Sequence, residues 1–429
     1  MLQRDVEAEL VERHQDGEYV LPAYEDYCFA NVNPTLLSLL AGSDSGPAGG
    51  DTGAEIAPER RLPEPALAGV ETDVDRVVCI FLDGYGWEHW KRDHGEVPLL
   101  SAFGEQGTVS PLTSVYPSET AAATTTFHTG STPVEHGMLG WWQYVEEVEG
   151  VVQTLPFATL DGEPADEVYP ELRKEMLFAG ESLYRQAAAA GIDARLHQPF
   201  ETDDTQTAGA DTVVAENVAD LAVSLRRGVE SPDGPDYSYG YVPNVDAAAH
   251  RVGTTDDRYR AQLEMVCACL RRELVDRADP AAPERTLVVL TADHGIVDTQ
   301  PDGNGDLREA DVVWGNLRRD GDGEPIPPVG SPRNLHLFLR DGTVERVRDA
   351  VESRWPCRTY TRAEAVDAGL FGDGDPSDLF RRRCGDLVVV HRNTGIWWRD
   401  EELVGMHGGL TREEMLVPFA AATLADLAD

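Results

Sequence analysis

Five separated segments of the chain place acidic, imidazole or hydroxyl side chains where a strand ends or a helix begins. Asp83 follows the apolar run VVCIFL, and Asp293 and His294 close the run TLVVLTADHG. Asp246 and His250 are four residues apart in VDAAAH, so a helix would place both on one face. Carboxylate oxygens and imidazole nitrogens are ligands for first-row divalent metals. These residue types therefore predict metal binding, provided that the segments meet in the fold.

The two remaining segments contribute a hydroxyl and a third imidazole. Thr120 lies in SVYPSETAAATTTFHTG, in which Pro117 marks a turn and residues 121–127 can begin a helix. His407 lies in MHGGLTREEM, beside glycines that let the backbone approach closely. A hydroxyl beside a dication is suited to nucleophilic attack, because coordination lowers its pKa. The helix after Thr120 would direct backbone N–H groups and the positive end of its dipole toward an anionic group.

Each of these residues also has a purely structural interpretation. An Asp after a strand, such as Asp83, is common in turns, and Asp246 or Thr120 could cap a helix. His250 could be a core histidine with satisfied hydrogen bonds. Together, however, three Asp, three His and one hydroxyl at predicted strand ends match two divalent sites of mixed nitrogen and oxygen ligation.

Continuous apolar runs identify the elements that would position these side chains. The runs occupy residues 77–82, 237–242, 287–290 and 387–390, and are typical of strands covered on both faces of a parallel sheet. Helical patterns lie between them, for example at residues 257–274. The alternation predicts an α/β fold with a mostly parallel central sheet and helices on both faces. Ligands are expected at the carboxyl ends of such strands.

The chain is predicted to have two parts and one insertion. Residues 1–70 form an N-terminal extension with a short helix at 29–42 and an acidic, Gly/Pro-rich linker at 43–66. Residues 71–429 form the catalytic domain. Within it, residues 300–400 begin with a Gly/Asp-rich stretch and predict a small inserted α+β cap subdomain over the site.

The charge balance excludes some partners. The 429 residues include 77 acidic and 36 basic ones, for a formal net charge of -41, and only two of the basic residues are lysines. Such a field repels duplex nucleic acid and anionic membranes, so neither is an expected partner. The 41% hydrophobic content argues for a folded chain and not an acidic disordered one. We interpret the acidic surface as adaptation to a salt-rich cytosol, where salt screens the self-repulsion.

Cysteine usage and targeting signals indicate a soluble cytoplasmic protein. The six cysteines are scattered with no CxxC pair, which predicts free thiols without a disulfide framework. Residues 1–10 contain four charged side chains and no apolar stretch of a secretory signal. No apolar run approaches the roughly 20 residues needed to span a bilayer.

The motifs together resemble the alkaline phosphatase superfamily, in particular its type I phosphodiesterase/nucleotide pyrophosphatase family. The resemblance extends over about residues 77–419 and rests on FLDGYG, VYPSETAAATTTFHTGSTPVEHG, DAAAH, TADHG and HGGLTREEMLVP. It implies an alkaline-phosphatase-like catalytic domain that binds two divalent metal ions, most suitably Zn²⁺, with Mn²⁺ or another first-row metal also admitted. The implied ligands of one metal are Asp83, Thr120, Asp293 and His294, and those of the other are Asp246, His250 and His407.

The resemblance also assigns roles around the metals. It implies that Thr120 is the nucleophile and that Tyr241 contacts the substrate, since it matches a tyrosine that stacks on the base in nucleotide-cleaving members. One position departs from the family pattern. Where those members have an Asn that hydrogen-bonds the phosphate, this chain has Trp141. A neutral donor is therefore missing, or is replaced by the backbone or indole N–H of Trp141.

The implied function is a metal-dependent hydrolase of phosphate esters, a phosphodiesterase or nucleotide pyrophosphatase with a phosphothreonine intermediate. Its partner would be a small phosphate ester or a nucleotide. The alternatives are a phosphomonoesterase or phosphonate hydrolase of the same superfamily, or a non-catalytic scaffold that retains the fold. In the 300–400 segment, Arg333 and His336 are candidates for substrate contacts, with a structural role preferred.

Overall fold

The computed structural model describes residues 1–42, 56–201, 205–279, 285–299, 303–399 and 403–428. Most of the predicted Gly/Pro-rich linker, residues 43–55, lies outside the described residues. The strands are β1 Gln15–Asp16, β2 Tyr19–Val20, β3 Arg76–Leu82, β4 Thr108–Thr113, β5 Trp142–Val145, β6 Gly150–Gln153, β7 Ala158–Thr159, β8 Ala194–Gln198, β9 Asp211–Val214, β10 Tyr237–Val242, β11 Thr286–Thr291, β12 Val297–Asp298, β13 Gly305–Asp306, β14 Val329–Ser331, β15 Asn334–Leu337, β16 Cys357–Thr361, β17 Leu387–His391, β18 Ile396–Trp397, β19 Gly405–Met406 and β20 Leu416–Thr423. The helices are α1 Arg4–His14, α2 Val32–Gly42, α3 Trp87–Asp93, α4 Pro98–Gln106, α5 Thr120–Thr129, α6 Pro133–His136, α7 Ala165–Val168, α8 Leu183–Ala189, α9 Val218–Glu230, α10 Asn244–Val252, α11 Asp257–Leu270, α12 Asp311–Trp314, α13 Val344–Arg354, α14 Arg362–Asp367, α15 Asp378–Arg383, α16 Arg412–Met415 and α17 Leu424–Ala428.

The central sheet has seven strands in the order β4-β20-β11-β3-β10-β8-β9. All are parallel to one another except β20, which is antiparallel to both of its neighbours. Every residue of β3 is buried, as a continuous apolar run requires when both faces of a strand are covered. The predicted α/β fold with a mostly parallel sheet is therefore confirmed.

Strand β20 was not predicted from the sequence. Its residues, LVPFAAAT, combine a proline with three alanines, which are poor strand formers. The strand is nevertheless buried between β4 and β11, and Pro418 lies opposite Pro111 of β4. Burial in a layered sheet has overridden the local preference here.

A second seven-stranded sheet has the order β16-β17-β15-β14-β5-β6-β7 and is antiparallel. The apolar run at 387–390 lies in this sheet as β17, so its assignment to the parallel sheet was wrong. A short apolar run does not say which sheet will bury it. Residues 300–400 supply four of the strands, and residues 142–159 supply the other three. That the 300–400 segment forms a cap subdomain of its own stays a prediction.

The N-terminal segment packs against the strand and the helix that carry the candidate site. The predicted helix at 29–42 consists of a 3₁₀ turn at Phe29–Asn31 followed by α2. The ring of Phe29 lies 5.6 Å from that of Phe81 in β3 and 5.5 Å from that of Phe127 in α5. These aromatic contacts join the segment to the main core.

All six cysteines of the chain lie within the described residues. All six cysteines are free thiols, and five of them are buried. Within the described parts of the chain, no helix combines the length and the apolar character needed to cross a bilayer.

Candidate active site

Thr120 is the first residue of α5, at the end of the turn that follows β4. Glu119 occupies the N-cap position and has extended backbone angles. The interpretation of Thr120 as a helix cap is therefore wrong, and its hydroxyl remains available. The Oγ1 atom lies 3.2 Å from Nε2 of His294. The fold thus aims the hydroxyl at an imidazole rather than at its own helix.

The first cluster of potential metal ligands comprises Asp83, Asp293 and His294. Asp83 follows β3 and the other two follow β11, and these adjacent parallel strands end at the same edge of the sheet. Nε2 of His294 is 3.6 Å from Asp83 Oδ1 and 3.3 Å from Asp293 Oδ2. All three side chains are buried.

The second cluster comprises Asp246, His250 and His407. Asp246 and His250 lie one turn apart on α10, as predicted, and His407 follows β19. Nε2 of His250 is 3.2 Å from Asp246 Oδ2 and 3.2 Å from His407 Nε2. Asp246 is in the first turn of α10 but is not its cap, because Pro243 holds that position.

The two clusters are adjacent. The rings of His294 and His407 stack with centroids 3.7 Å apart and planes inclined by 17°. The structure therefore brings together six acidic and imidazole side chains from four segments of the sequence, and Thr120 contacts the first cluster. In each cluster the potential ligand atoms lie within 4.8 Å of one another.

The three histidines share one orientation, in which Nδ1 faces a backbone carbonyl and Nε2 faces the cluster. The Nδ1 atoms lie 2.7 Å from Gly405 O for His250, 3.1 Å from Gly295 O for His294, and 3.2 Å from Ser118 O for His407. A carbonyl only accepts, so Nδ1 carries the hydrogen when these bonds form. This arrangement directs each Nε2 toward the cluster, which is the usual orientation of a metal-binding histidine.

Each of the three carboxylates has one oxygen that contacts a polar group of the protein and one oxygen without a hydrogen-bond partner. Asp83 Oδ2 accepts a hydrogen bond from Tyr241, Asp293 Oδ1 accepts from the N–H of Gly84 at 3.1 Å, and Asp246 Oδ2 faces His250. Among the described residues, Asp83 Oδ1, Asp293 Oδ2 and Asp246 Oδ1 are buried without a hydrogen-bond partner. Buried polar atoms are nearly always satisfied. The residues present therefore fit two divalent cations, which would take up these oxygens.

The electrostatics of the two clusters also favour the binding of cations. Burial and the nearby charges of Asp293 and Asp246 raise the pKa of Asp83. Burial also raises the pKa of Asp293. Burial acts to lower the pKa of His250, but the charge of Asp246 and the hydrogen bond to it raise this pKa to about 9. Crowded buried carboxylates are costly in isolation, and nearby positive charge offsets that cost.

Gly84 shows how closely the segments approach. It follows Asp83 and has φ of +72°, a conformation that favours glycine. A Cβ atom at this position would lie 2.7 Å from Ile296 Cδ1 and 2.9 Å from Asp246 Oδ1. Gly84, the first glycine of the FLDGYG motif, therefore allows the turn after β3 to lie against α10.

A cavity of about 420 Å³ opens onto both clusters. Its lining includes Thr120 and residues of both sheets. Tyr241 and Trp141, the two predicted substrate contacts, also line it. Burial and the charge of Asp83 raise the pKa of Tyr241 well above its usual value, so its hydroxyl is protonated and donates to Asp83.

Both N–H donors of Trp141 are engaged within the protein. The backbone N–H donates to Glu119 Oε2 at 2.9 Å, and indole Nε1 donates to Gln153 Oε1 at 3.2 Å. Neither donor thus replaces the phosphate-binding Asn, the option that the sequence left open. Trp141 therefore lines the cavity with both of its N–H groups already hydrogen-bonded.

Arg333 and His336 do not line the cavity; both are fully buried in or beside β15. Arg333 forms an ion pair with Glu414 at 2.5 Å. Burial lowers the pKa of His336 to about 3, so this residue is a neutral core histidine. The structural role preferred for both residues is in agreement with these positions.

Sequence reasoning missed Glu119. This buried residue precedes Thr120, lines the cavity and accepts from Trp141 and, at 3.4 Å, from Asn334 Nδ2. Burial raises the pKa of Glu119 to about 7. Its position directly before the hydroxyl was a signal in the sequence, but its partners come from the second sheet and could not be read there.

Family membership shows that the chain is a phosphoric ester hydrolase of the alkaline phosphatase superfamily. The sequence model of the type I phosphodiesterase/nucleotide pyrophosphatase family matches residues 77–410. The chain therefore belongs to this family. A comparison with curated protein sequences gave no match.

Several solved structures share the fold at low sequence identity. Murine ectonucleotide pyrophosphatase/phosphodiesterase 5, an inactive variant in complex with AMP, is 14% identical, with a TM-score of 0.62 over 81% of this chain and 87% of that one. The human protein of the same name has a TM-score of 0.55 at 14% identity, over 81% of this chain and 88% of that one. Phosphonoacetate hydrolase from Sinorhizobium meliloti 1021, in complex with phosphonoformate, is 18% identical. Its TM-score is 0.58, over 81% of this chain and 89% of that one.

Proposed function

We propose that this chain is a metal-dependent phosphodiesterase that acts through a phosphothreonine on Thr120. The observation that carries the proposal is the position of the Thr120 hydroxyl, which lies 3.2 Å from His294 and lines a cavity together with Asp83 and the second cluster. A nucleophile, a set of cation ligands and space for a substrate thus meet at one point.

Two divalent cations fit the site. Asp83, Thr120, Asp293 and His294 would hold one, and Asp246, His250 and His407 would hold the other. Mixed carboxylate and imidazole ligation suits Zn²⁺ and also admits Mn²⁺. When bound, the cations supply Lewis acidity to the hydroxyl and neutralise the charge of the phosphate.

The chain's own residues then determine the course of the reaction. Thr120 Oγ1 gives up its proton and forms a bond to phosphorus, while the bond from phosphorus to the leaving oxygen breaks on the opposite side and that oxygen takes up a proton to leave as the alcohol. A water molecule next displaces Oγ1 from phosphorus and gives one proton to it, so that the phosphate monoester is released and the free threonine hydroxyl is regenerated. The N-terminus of α5 points its positive end at the transferred group. Tyr241 holds Asp83 in place through its hydroxyl.

The first test is a substrate panel in molar salt with added Zn²⁺ or Mn²⁺. We expect kcat/KM for bis-p-nitrophenyl phosphate to exceed that for p-nitrophenyl phosphate by at least about 10-fold, because the cavity leaves room for a second ester group that only a diester carries. A preference for the monoester would instead indicate a phosphomonoesterase. A preference for an unesterified phosphonate would indicate a phosphonate hydrolase.

The second test is metal content, measured by mass spectrometry on protein dialysed against Zn²⁺. We expect about two equivalents in the wild-type chain and about one in Asp246→Ala, because one ligand cluster loses its carboxylate. The matched control is Asp257→Ala, which removes an exposed carboxylate at the start of α11 and should retain two equivalents. An unchanged metal content in Asp246→Ala would rule out the second site, and a metal-free wild-type chain would favour a scaffold.

The acidic surface and the cellular location are proposed from composition alone. A net charge of -41 is tolerated when salt screens the repulsion, so we infer a halophilic, cytoplasmic enzyme.

A further inference from the structure

Six of the residues that line the cavity outside the metal-ligand clusters have large apolar side chains, and three of these are tryptophans. They are Trp141, Trp142, Leu155, Trp397, Leu403 and Met406. Two of the tryptophans lie in or beside strands of the second sheet, and Trp397 is the last residue of β18. We refer to these six residues as the tryptophan wall.

Apart from the histidines of the second cluster, the cavity provides no cationic side chain. Among the described residues that line it there is no Lys or Arg, whereas Asp83, Glu119 and Asp246 do line it. The residues outside the description contain no Lys or Arg in the sequence either. A second anionic group that lay against the tryptophan wall would thus have no cationic side chain there as a partner, at a high desolvation cost.

One of the large apolar side chains that remain exposed lines this cavity, and a second packs against a residue of its lining. Trp141 is 38% exposed and lines it, and Phe200 is 51% exposed and packs edge-on against Tyr241 with ring centroids 6.0 Å apart. Exposed aromatic surface that converges on one cavity is typical of a ligand contact.

The position of Trp141 indicates which part of a substrate it would meet. Its backbone is tied to Glu119, the residue before Thr120. A leaving alcohol departs on the side of phosphorus opposite Thr120, so a wall anchored beside the nucleophile flanks the ester group that stays on phosphorus.

We propose that the tryptophan wall is a subsite for an uncharged aromatic or apolar ester group retained on phosphorus. The substrate class is then a phosphodiester with a single negative charge, and polyanionic nucleotides such as nucleoside triphosphates are poor substrates. This inference rests on the proposed phosphodiesterase function and specifies the substrate of that same site.

Three diesters with the same p-nitrophenolate leaving group test the proposal, since only the retained group differs: methyl, phenyl or 4-carboxyphenyl. In the metal-loaded wild-type protein we expect kcat/KM for the phenyl ester to exceed that for the methyl ester by at least about 10-fold. The 4-carboxyphenyl ester should fall at least about 10-fold below the phenyl ester, because it adds one charge to nearly the same shape.

Two variants locate the effect. Trp141→Ala should reduce the phenyl-to-methyl ratio to about 3-fold or less, because the aromatic contact is lost. Leu155→Lys should raise the 4-carboxyphenyl rate relative to the phenyl rate by about 10-fold, because it supplies the missing cation. The matched control is Met265→Ala, which removes a 49% exposed apolar side chain outside the cavity and should leave all three rates unchanged.

The outcomes separate this subsite from the function on which it rests. If the wild-type protein hydrolyses all three esters with similar kcat/KM, or prefers the carboxylate, the subsite is wrong while the phosphodiesterase stands. If none of the three is hydrolysed with Zn²⁺ or Mn²⁺, the phosphodiesterase and the subsite both fail. A phenyl preference that survives in Trp141→Ala would remove Trp141 from the subsite and overturn the proposal as stated.

Discussion

Replacing Thr120 with Ala is expected to lower turnover by at least about 100-fold while the protein stays folded and metal-loaded. The loss follows from the covalent route, because alanine cannot form the phosphothreonine. The fold should survive, since Thr120 is the first residue of α5, alanine is the best helix former, and the hydroxyl has no capping role. Thermal unfolding and metal content measured beside kcat separate loss of chemistry from loss of structure.

Thr124→Ala is the matched control for this experiment. Thr124 lies one turn further along α5, and its hydroxyl donates to the Thr120 carbonyl at 2.6 Å. It is outside the ligand clusters, so its loss should change turnover less than about 3-fold. A phosphorylated peptide containing Thr120, recovered after acid quenching of the wild-type reaction, would support the intermediate directly. Near-normal turnover in Thr120→Ala would exclude the covalent route.

Replacing Arg333 with Ala is expected to lower the free energy of unfolding by about 3–5 kcal/mol. Arg333 and Glu414 are both fully buried, and the guanidinium donates to both carboxylate oxygens, at 2.5 and 2.7 Å. Removing one partner leaves the other charge uncompensated in the core. Glu414 also accepts from the N–H of Gly409 at 2.8 Å, two residues after His407. The substitution should therefore loosen the loop that presents His407, and reduce metal retention as well as stability.

Urea unfolding at constant high salt measures this effect, because urea leaves the ionic strength unchanged. The matched control is Arg348→Ala, whose partner Glu364 lies 2.5 Å away at the surface. Surface pairs contribute little, so the loss there should stay below about 1 kcal/mol. If Arg333→Ala lowered the free energy of unfolding by no more than Arg348→Ala does, the buried pair would not stabilise the loop that presents His407.

Much of the candidate site could be predicted from the sequence because its residues carry local signals. A carboxylate directly after a buried run, as at Asp83, and an Asp and a His one helical turn apart are visible in short windows. The parallel sheet followed from the same runs. The predictions failed where local preference and burial disagreed, as in β20 with Pro418, and where an apolar run had two possible sheets, as in β17.

The sequence by itself determined which side chains were available for chemistry and that strands of a parallel sheet would end beside them. Side-chain type and spacing are sufficient for that, since they depend on covalent order and local periodicity. Only the tertiary structure decided that the two N–H groups of Trp141 donate to Glu119 and Gln153. It also decided that tryptophans from distant parts of the chain line one cavity that no Lys or Arg lines among the described residues. Contacts between residues far apart in the chain depend on how the two sheets pack, and no window of the sequence contains that information.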